Sequence, residues 1–330
     1  MVSNKKSSII LILKVLKDYS DEDHYLTLKE IILKLYDLYN IELERKSVSS
    51  SIDLLIELGY DINKTRNGVA LISRLFDETE AKFLDDAIFS SKSITSKQAN
   101  ELMERINSIF SVYKRQNYSY LYKNSDITRS DNNFIFYNIS VIEEAIKLKK
   151  RISFKYLTYD LNGHQTFRNN NYRYIVSPYY LVNNFGRYYL ICNYREKYNP
   201  INIFRIDFMF DLKIENNWEI KKIDSLKLTK KFNLKEFLNE RIYLFNGEVI
   251  TAKIEILNPQ SIIYIKDWFG DNGHIYKEDQ RLFFDIKCDE NSLFYWLIQY
   301  SKDFYLISPS SLLDRIIKFY QDELMKYLKK

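Results

Sequence analysis

Apolar positions along the first quarter of the chain recur at helical spacing in three runs separated by polar breaks. Ile9, Ile10, Leu13 and Leu16 share one face of a first helix, which the polar stretch Asp18 to His24 ends. Thr27 and Glu30 form a capping box ahead of a second run, Ile31, Ile32 and Leu35. A third helix is predicted from about Arg45 to Leu58, with Val48, Ile52, Leu55 and Ile56 apolar and Gly59 as its stop. Asp61-Ile62 and Val69 to Ile72 then read as two strands around a tip, Asn63 to Gly68, that ends in Asn-Gly. Three helices followed by a hairpin predict a winged helix-turn-helix over residues 1–75.

Residues 76–140 are predicted as a helical linker and connector. Asp77 to Glu80 places acids at a helix start, and Thr95 with Gln98 repeats the capping box before Leu102, Ile106 and Ile109. Lys114 to Asn138 is polar and reads as a connector. Ser140 and Glu143 suggest a third box, opening a helix over Val141–Lys149. The period then changes to two. Strands Tyr174–Val182 and Arg187–Asn193 flank the turn Asn183-Asn184-Phe185-Gly186, and a third covers Asn202–Phe208. After a linker at 217–248, residues 249–330 read as strand, helix, a hairpin around Gly273, helix, strand and a closing helix. That βαββαβ order suggests a ferredoxin-like α/β sandwich with one extra helix.

Composition narrows the function classes. Seven glycines leave little material for a phosphate-cradling loop, and no P-loop, GxGxxG or GxSxG pattern occurs. Three histidines and two cysteines stand far apart, without metal-ligand spacing, so neither a metal, a cofactor nor an enzyme is expected. Cys192 and Cys288 read as free thiols of a reducing compartment. With no signal-peptide core and no apolar run near membrane length, a cytoplasmic location is expected. The net charge of +5 is mild, and residues 1–75 balance 11 Lys/Arg against 11 Asp/Glu. Any contact with DNA therefore depends on local clustering.

One cluster lies at the start of the third helix, where Arg45, Lys46, Ser47, Ser49 and Ser50 flank the inward Val48 and Ile52. A recognition helix presents such N-terminal side chains to base edges and phosphates. Lys64 and Arg66 at the hairpin tip are candidates for backbone or minor-groove contact. A second cluster is the tyrosine-lined sheet with isolated cations: Tyr156, Arg173, Arg187, Tyr188, Tyr189 and Arg205. Aromatics can stack on planar groups while arginine neutralises an anion.

The second cluster resembles the WYL domain, an Sm-like or SH3-like β-barrel found mostly in bacterial transcription regulators. The family's Trp-Tyr-Leu triplet is matched by Tyr188-Tyr189-Leu190, preceded by Gly186-Arg187. Its Val-x-Pro strand is Val176-Ser177-Pro178, its aromatic pair Phe154 and Tyr156, and its Phe-Arg-x-Asp motif Phe204 to Asp207. Where the family usually carries a second arginine, this chain has Phe208. The resemblance implies an α+β multidomain chain: winged helix, WYL barrel at 141–216 and C-terminal extension. It also implies a ligand-responsive regulator of double-stranded DNA, its barrel sensing a nucleotide or other nucleic-acid-like anion; because symmetric dimers are the commonest assemblies, a homodimer on a pseudo-palindromic operator is expected. The alternative is an accessory single-stranded nucleic-acid-binding protein of a defence or repair system.

Overall fold

Helices α1 (Ser8–Tyr19), α2 (Leu28–Tyr39) and α3 (Arg45–Glu57) bury one stripe each, and the hairpin β1 (Ile62–Thr65) and β2 (Gly68–Leu71) closes their core. This computed structural model describes residues 8–115, 130, 132–194, 200–226, 228 and 231–328. The chain divides into two units, residues 1–133 and 134–330.

In the first unit the core is Ile12, Val15 and Leu16 against Ile31, Leu35, Val48, Ile52 and Leu55. The predicted face of α1 is therefore rotated: Ile10 is exposed, and Ile12 and Val15 take the buried positions. Ile56 is exposed as well. The Thr27–Glu30 box is present, with the Thr27 side chain accepting from Glu30 N and Glu30 accepting from Thr27 N. Gly68 pins the hairpin to the α1–α2 connection. Leu26 and Val69 exchange backbone hydrogen bonds of 2.9 and 2.8 Å. Gly68 has φ +142°, and a Cβ there would lie 2.5 Å from Leu26 O. Helices α4 (Glu78–Ser90) and α5 (Ser96–Asn107) follow, each opened by a capping box, at Asp77–Glu80 and Thr95–Gln98. Most of the predicted connector, residues 116–129 and 131, lies outside the described residues.

A polar knot holds the α1–α2 connection to the segment after α5. Asp21 is buried and accepts from Ser111 Oγ, from His24 Nδ1 (2.7 Å) and from two backbone amides. Burial works to raise its pKa, but the hydrogen bonds from Ser111 and His24 outweigh it and hold the carboxyl below its ordinary value. A depressed folded pKa stabilises above the unfolded value, about 3.9, and that contribution fades as pH falls through the folded value. Asp21→Asn is therefore expected to lower the melting temperature at pH 7. The gap from wild type should shrink steadily below about pH 4, as melts followed by circular dichroism at each pH would show. A gap that does not change with pH would contradict this account.

The second unit begins with α6 (Ile135–Leu148), six residues earlier than expected. Ser140 lies inside this helix and is not its cap, because Ile135, Asn138, Ile142 and Ala145 form a continuous buried face. Asn138 Nδ2 donates to Met209 O at 2.9 Å, which satisfies a polar group on that face. Next come β3 (Lys150–Tyr159), β4 (Gln165–Phe167), α7 (Arg168–Asn171) and β5 (Arg173–Asn184). α7 is a single turn in which Asn169, Asn170 and Asn171 all have positive φ. Then β6 (Arg187–Asn193), β7 (Asn202–Arg205), a 3-10 turn at Ile206–Phe208 and β8 (Met209–Glu219) complete the sheet.

β5 and β8 flank β3, and the sheet runs on through β6 to β7. The expected barrel is not closed: among the described residues no ladder joins β7 to β8. The 3-10 turn carries the chain between them, so the third predicted strand stops at Arg205. There the Arg205 amide donates to the Tyr156 hydroxyl (3.1 Å).

The predicted linker 217–248 is not a free spacer. It contains a 3-10 turn at Ile223–Ser225 and α8 (Leu234–Asn239), and its Leu226 packs with Ile191 and Ile201 beneath Phe232 and Phe237. Beyond it come β9 (Val249–Ile256), α9 (Ile262–Phe269), β10 (His274–Glu278), β11 (Arg281–Asp289), α10 (Glu290–Gln299) and β12 (Phe304–Ser308), the four strands forming an antiparallel sheet ordered β10-β11-β9-β12. Ile265 and Phe269 of α9 and Leu293 and Trp296 of α10 share one core with Ile254 and Phe284 of the sheet, and α11 (Ser310–Leu328) adds Leu312. The hairpin turn is Asp279-Gln280, both at positive φ, and not Gly273. Among the described residues no helix is long and apolar enough to cross a membrane.

Candidate functional site

In the first unit, Glu44 precedes α3 without a side-chain cap, and Arg45 and Lys46 occupy its first turn, both exposed. That turn contains no acid. Cations here oppose the helix macrodipole, at a cost of roughly 0.3–1 kcal/mol each. Among the described residues no carboxylate pairs with either. Ser50 is exposed and Ser47 and Ser49 are half-buried. Lys64 behaves differently from the sequence expectation: it lies within β1 and its ammonium pairs with Asp53 of α3, which ties hairpin to helix. Arg66 stands exposed at the turn.

In the second unit, strand pairing sets the site. Tyr189 is the register partner of Arg205, and Arg187 lies two residues before Tyr189, so the three share one face of the sheet. Tyr188 falls on the opposite face, with Leu190 and Phe204. Asp207, from the 3-10 turn, is buried with a side chain 2 % exposed. Arg205 grips it with Nε to Oδ1 at 3.1 Å and Nη2 to Oδ2 at 2.7 Å, and Arg187 Nη1 reaches Oδ2 at 3.3 Å. Two guanidinium groups on one carboxylate leave one positive charge uncompensated by the trio. Burial would lower the Arg205 pKa, but Asp207 raises it above the usual arginine value.

Aromatic rings frame the trio. The Arg205 guanidinium lies 4.1 Å from the centroid of Phe208, the residue that stands where a second arginine was expected. Tyr156 packs 5.3 Å from Phe204 and 5.8 Å from Phe208. Burial drives its pKa far above that of free tyrosine, so the phenol stays protonated, accepting from the Arg205 amide. Burial also raises the Tyr189 pKa.

Arg173 is not part of this group. Its guanidinium donates to Ser153 Oγ (2.9 Å) and Asp211 O (3.0 Å) and pairs with the Asp211 carboxylate. The structure thus brings together Tyr156, Arg187, Tyr189 and Arg205 and leaves Arg173 and Tyr188 outside. Asp207, the residue that organises the trio, was visible in the sequence only as part of a motif. A lone acid among strand residues carries no sign that two arginines will meet on it.

Comparison with known proteins bears on this region directly. Residues 137–214 match the WYL domain family. The chain contains a WYL domain. No curated protein matches the sequence. Among solved structures, a CRISPR Cas-related protein is similar at 16% identity and TM-score 0.39, covering 98% of this chain and 84% of the other. Proteasome accessory factor B/C (PafBC) of Arthrobacter aurescens is similar at 14% identity and TM-score 0.30, covering 98% of this chain. The chain spans 49% of that PafBC chain, about half its length.

Proposed function

We propose that this chain is a DNA-binding transcription regulator whose WYL domain senses a nucleotide or nucleic-acid-like anion. The observation that carries the reading is the Arg187–Asp207–Arg205 trio, with its residual positive charge beside Tyr189 and Phe208. Guanidinium forks match phosphate oxygens, and the neighbouring rings offer faces to a base. The first unit serves as a winged helix-turn-helix that lays α3 in the major groove. The exposed Arg45 and Lys46 in its first turn support this role, since a phosphate at a helix N-terminus meets both their charge and the dipole. The role is binding rather than catalysis.

A homodimer would read a pseudo-palindromic operator, two half-sites matching the two-fold axis of the protein. Ligand at the arginine trio favours one arrangement of the paired winged helices over another, and affinity follows from the shift in population. A second reading is an accessory protein for single strands; Lys64, whose ammonium pairs with Asp53, gives the duplex reading no support.

Selection of bound fragments from a random duplex pool tests the choice. A regulator enriches one pseudo-palindrome, bound by at least roughly a thousandfold over random duplex. Enrichment of single strands without a shared sequence would contradict it.

A further inference from the structure

The junction of α6 and β3 carries four cations in the five residues 147–151, Lys-Leu-Lys-Lys-Arg, with no acid among them. Lys147 sits in the last turn of α6, where a cation complements the macrodipole. Lys149, the C-cap, shares that explanation, but it does not extend to Lys150 and Arg151 in β3. The sheet then brings a second basic segment alongside. Ile220 N donates to Lys149 O at 3.0 Å and Lys150 is the register partner of Glu219, which places Lys221 and Lys222 next to the first run. Segments 147–151 and 215–222 together hold six cations and two acids, Glu215 and Glu219, the register partners of Arg151 and Lys150. Among the described residues no carboxylate pairs with Lys147, Lys149, Lys150 or Lys222.

The same edge displays an aromatic ring. Pairing of β3 with β8 jumps from Lys150–Glu219 to Arg151–Glu215, so Asn216, Asn217 and Trp218 bulge out of the ladder. Trp218 is 46% exposed. Arg151 braces the bulge, with Nε donating to Glu219 O at 2.9 Å and its guanidinium 5.9 Å from the indole centroid.

We propose that this edge is a second nucleic-acid surface, sharing no residue with the Asp207 trio, and that it binds single strands. The lysines contact consecutive phosphates and Trp218 stacks on an unpaired base. The indole decides for a single strand, because phosphate contacts to a duplex need no exposed ring, whereas base stacking does.

Fluorescence anisotropy of a labelled oligothymidylate of about twenty residues, titrated with the full chain at several salt concentrations, tests this. Combining Lys147→Ala, Lys150→Ala and Lys222→Ala is expected to make the slope of log affinity against log salt shallower by about 2. Trp218→Ala is expected to weaken binding about tenfold, and Trp218→Phe to restore most of it. All three effects should recur in an Arg205→Ala background, which separates this edge from the trio. The proposal is overturned if the wild-type chain leaves the strand free or if the lysine variant keeps the full slope. It is equally overturned if a duplex of the same length binds as well and Trp218→Ala changes nothing.

Discussion

Arg45→Ala combined with Lys46→Ala is expected to weaken binding to the selected operator duplex by a hundredfold or more, while the protein becomes slightly harder to unfold. The two effects have one origin. Both cations sit at the positive end of α3 with no acid in the first turn, so removing them recovers about 0.3–1 kcal/mol apiece from the helix dipole. In the proposed DNA complex the same groups would face phosphates or base edges, where a good bidentate contact contributes roughly 1–3 kcal/mol. Electrophoretic or anisotropy titrations read the affinity, and urea denaturation reads the stability. A purely structural helix start would give the stability gain with unchanged operator affinity, and that result would remove α3 from the mechanism.

Arg205→Ala is expected to abolish the change in operator affinity that a short 5′-phosphorylated oligothymidylate produces in the wild-type chain, leaving basal operator binding within about twofold. The variant loses the fork on Asp207 and the stacking over Phe208 together, and with them the phosphate partner proposed above. Losing charge-assisted hydrogen bonds to a buried carboxylate should also cost roughly 1–3 kcal/mol of stability. Arg205→Lys separates charge from geometry. It keeps the cation but cannot reproduce a two-point grip, so a response reduced well below wild type, yet above that of alanine, is expected. A normal response in Arg205→Ala, measured as operator affinity with and without oligonucleotide, would refute the sensor assignment.

The order of elements was largely legible because caps and periodicity are local. Thr27 with Glu30 and Thr95 with Gln98 mark helix starts through hydrogen bonds within four residues. Strand β6 runs from Arg187 to Asn193 as its aromatic pattern indicates. Errors arose where local signals were degenerate. The run Ile9 to Leu13 is apolar at every position, so periodicity alone could not choose between Ile10 and Ile12. Ser140 looks like a cap, but the partner that settles α6 is Met209, distant in sequence. Asp279 and Gln280 make a left-handed turn without glycine, so Gly273 is the stronger local turn signal although the turn lies elsewhere.

The site was less legible for the same reason. Arg173, Arg187 and Arg205 look equivalent along the sequence. What separates them is which carboxylate each meets, Asp211 for the first and Asp207 for the other two. The 3-10 turn that presents Asp207 also ends β7 and leaves the sheet open towards β8, so the missed closure and the missed acid have a common cause.

If an anion at the arginine trio is linked to the operator at α3, each must change the affinity of the other by one factor. Oligothymidylate affinity should be measured by calorimetry on the free chain and on the chain saturated with operator duplex, alongside operator affinity with and without oligothymidylate. The same factor is expected from both directions, at least about fivefold, and a factor of one in both for Arg205→Ala. Oligothymidylate binding to the wild-type chain that leaves operator affinity unchanged would contradict it.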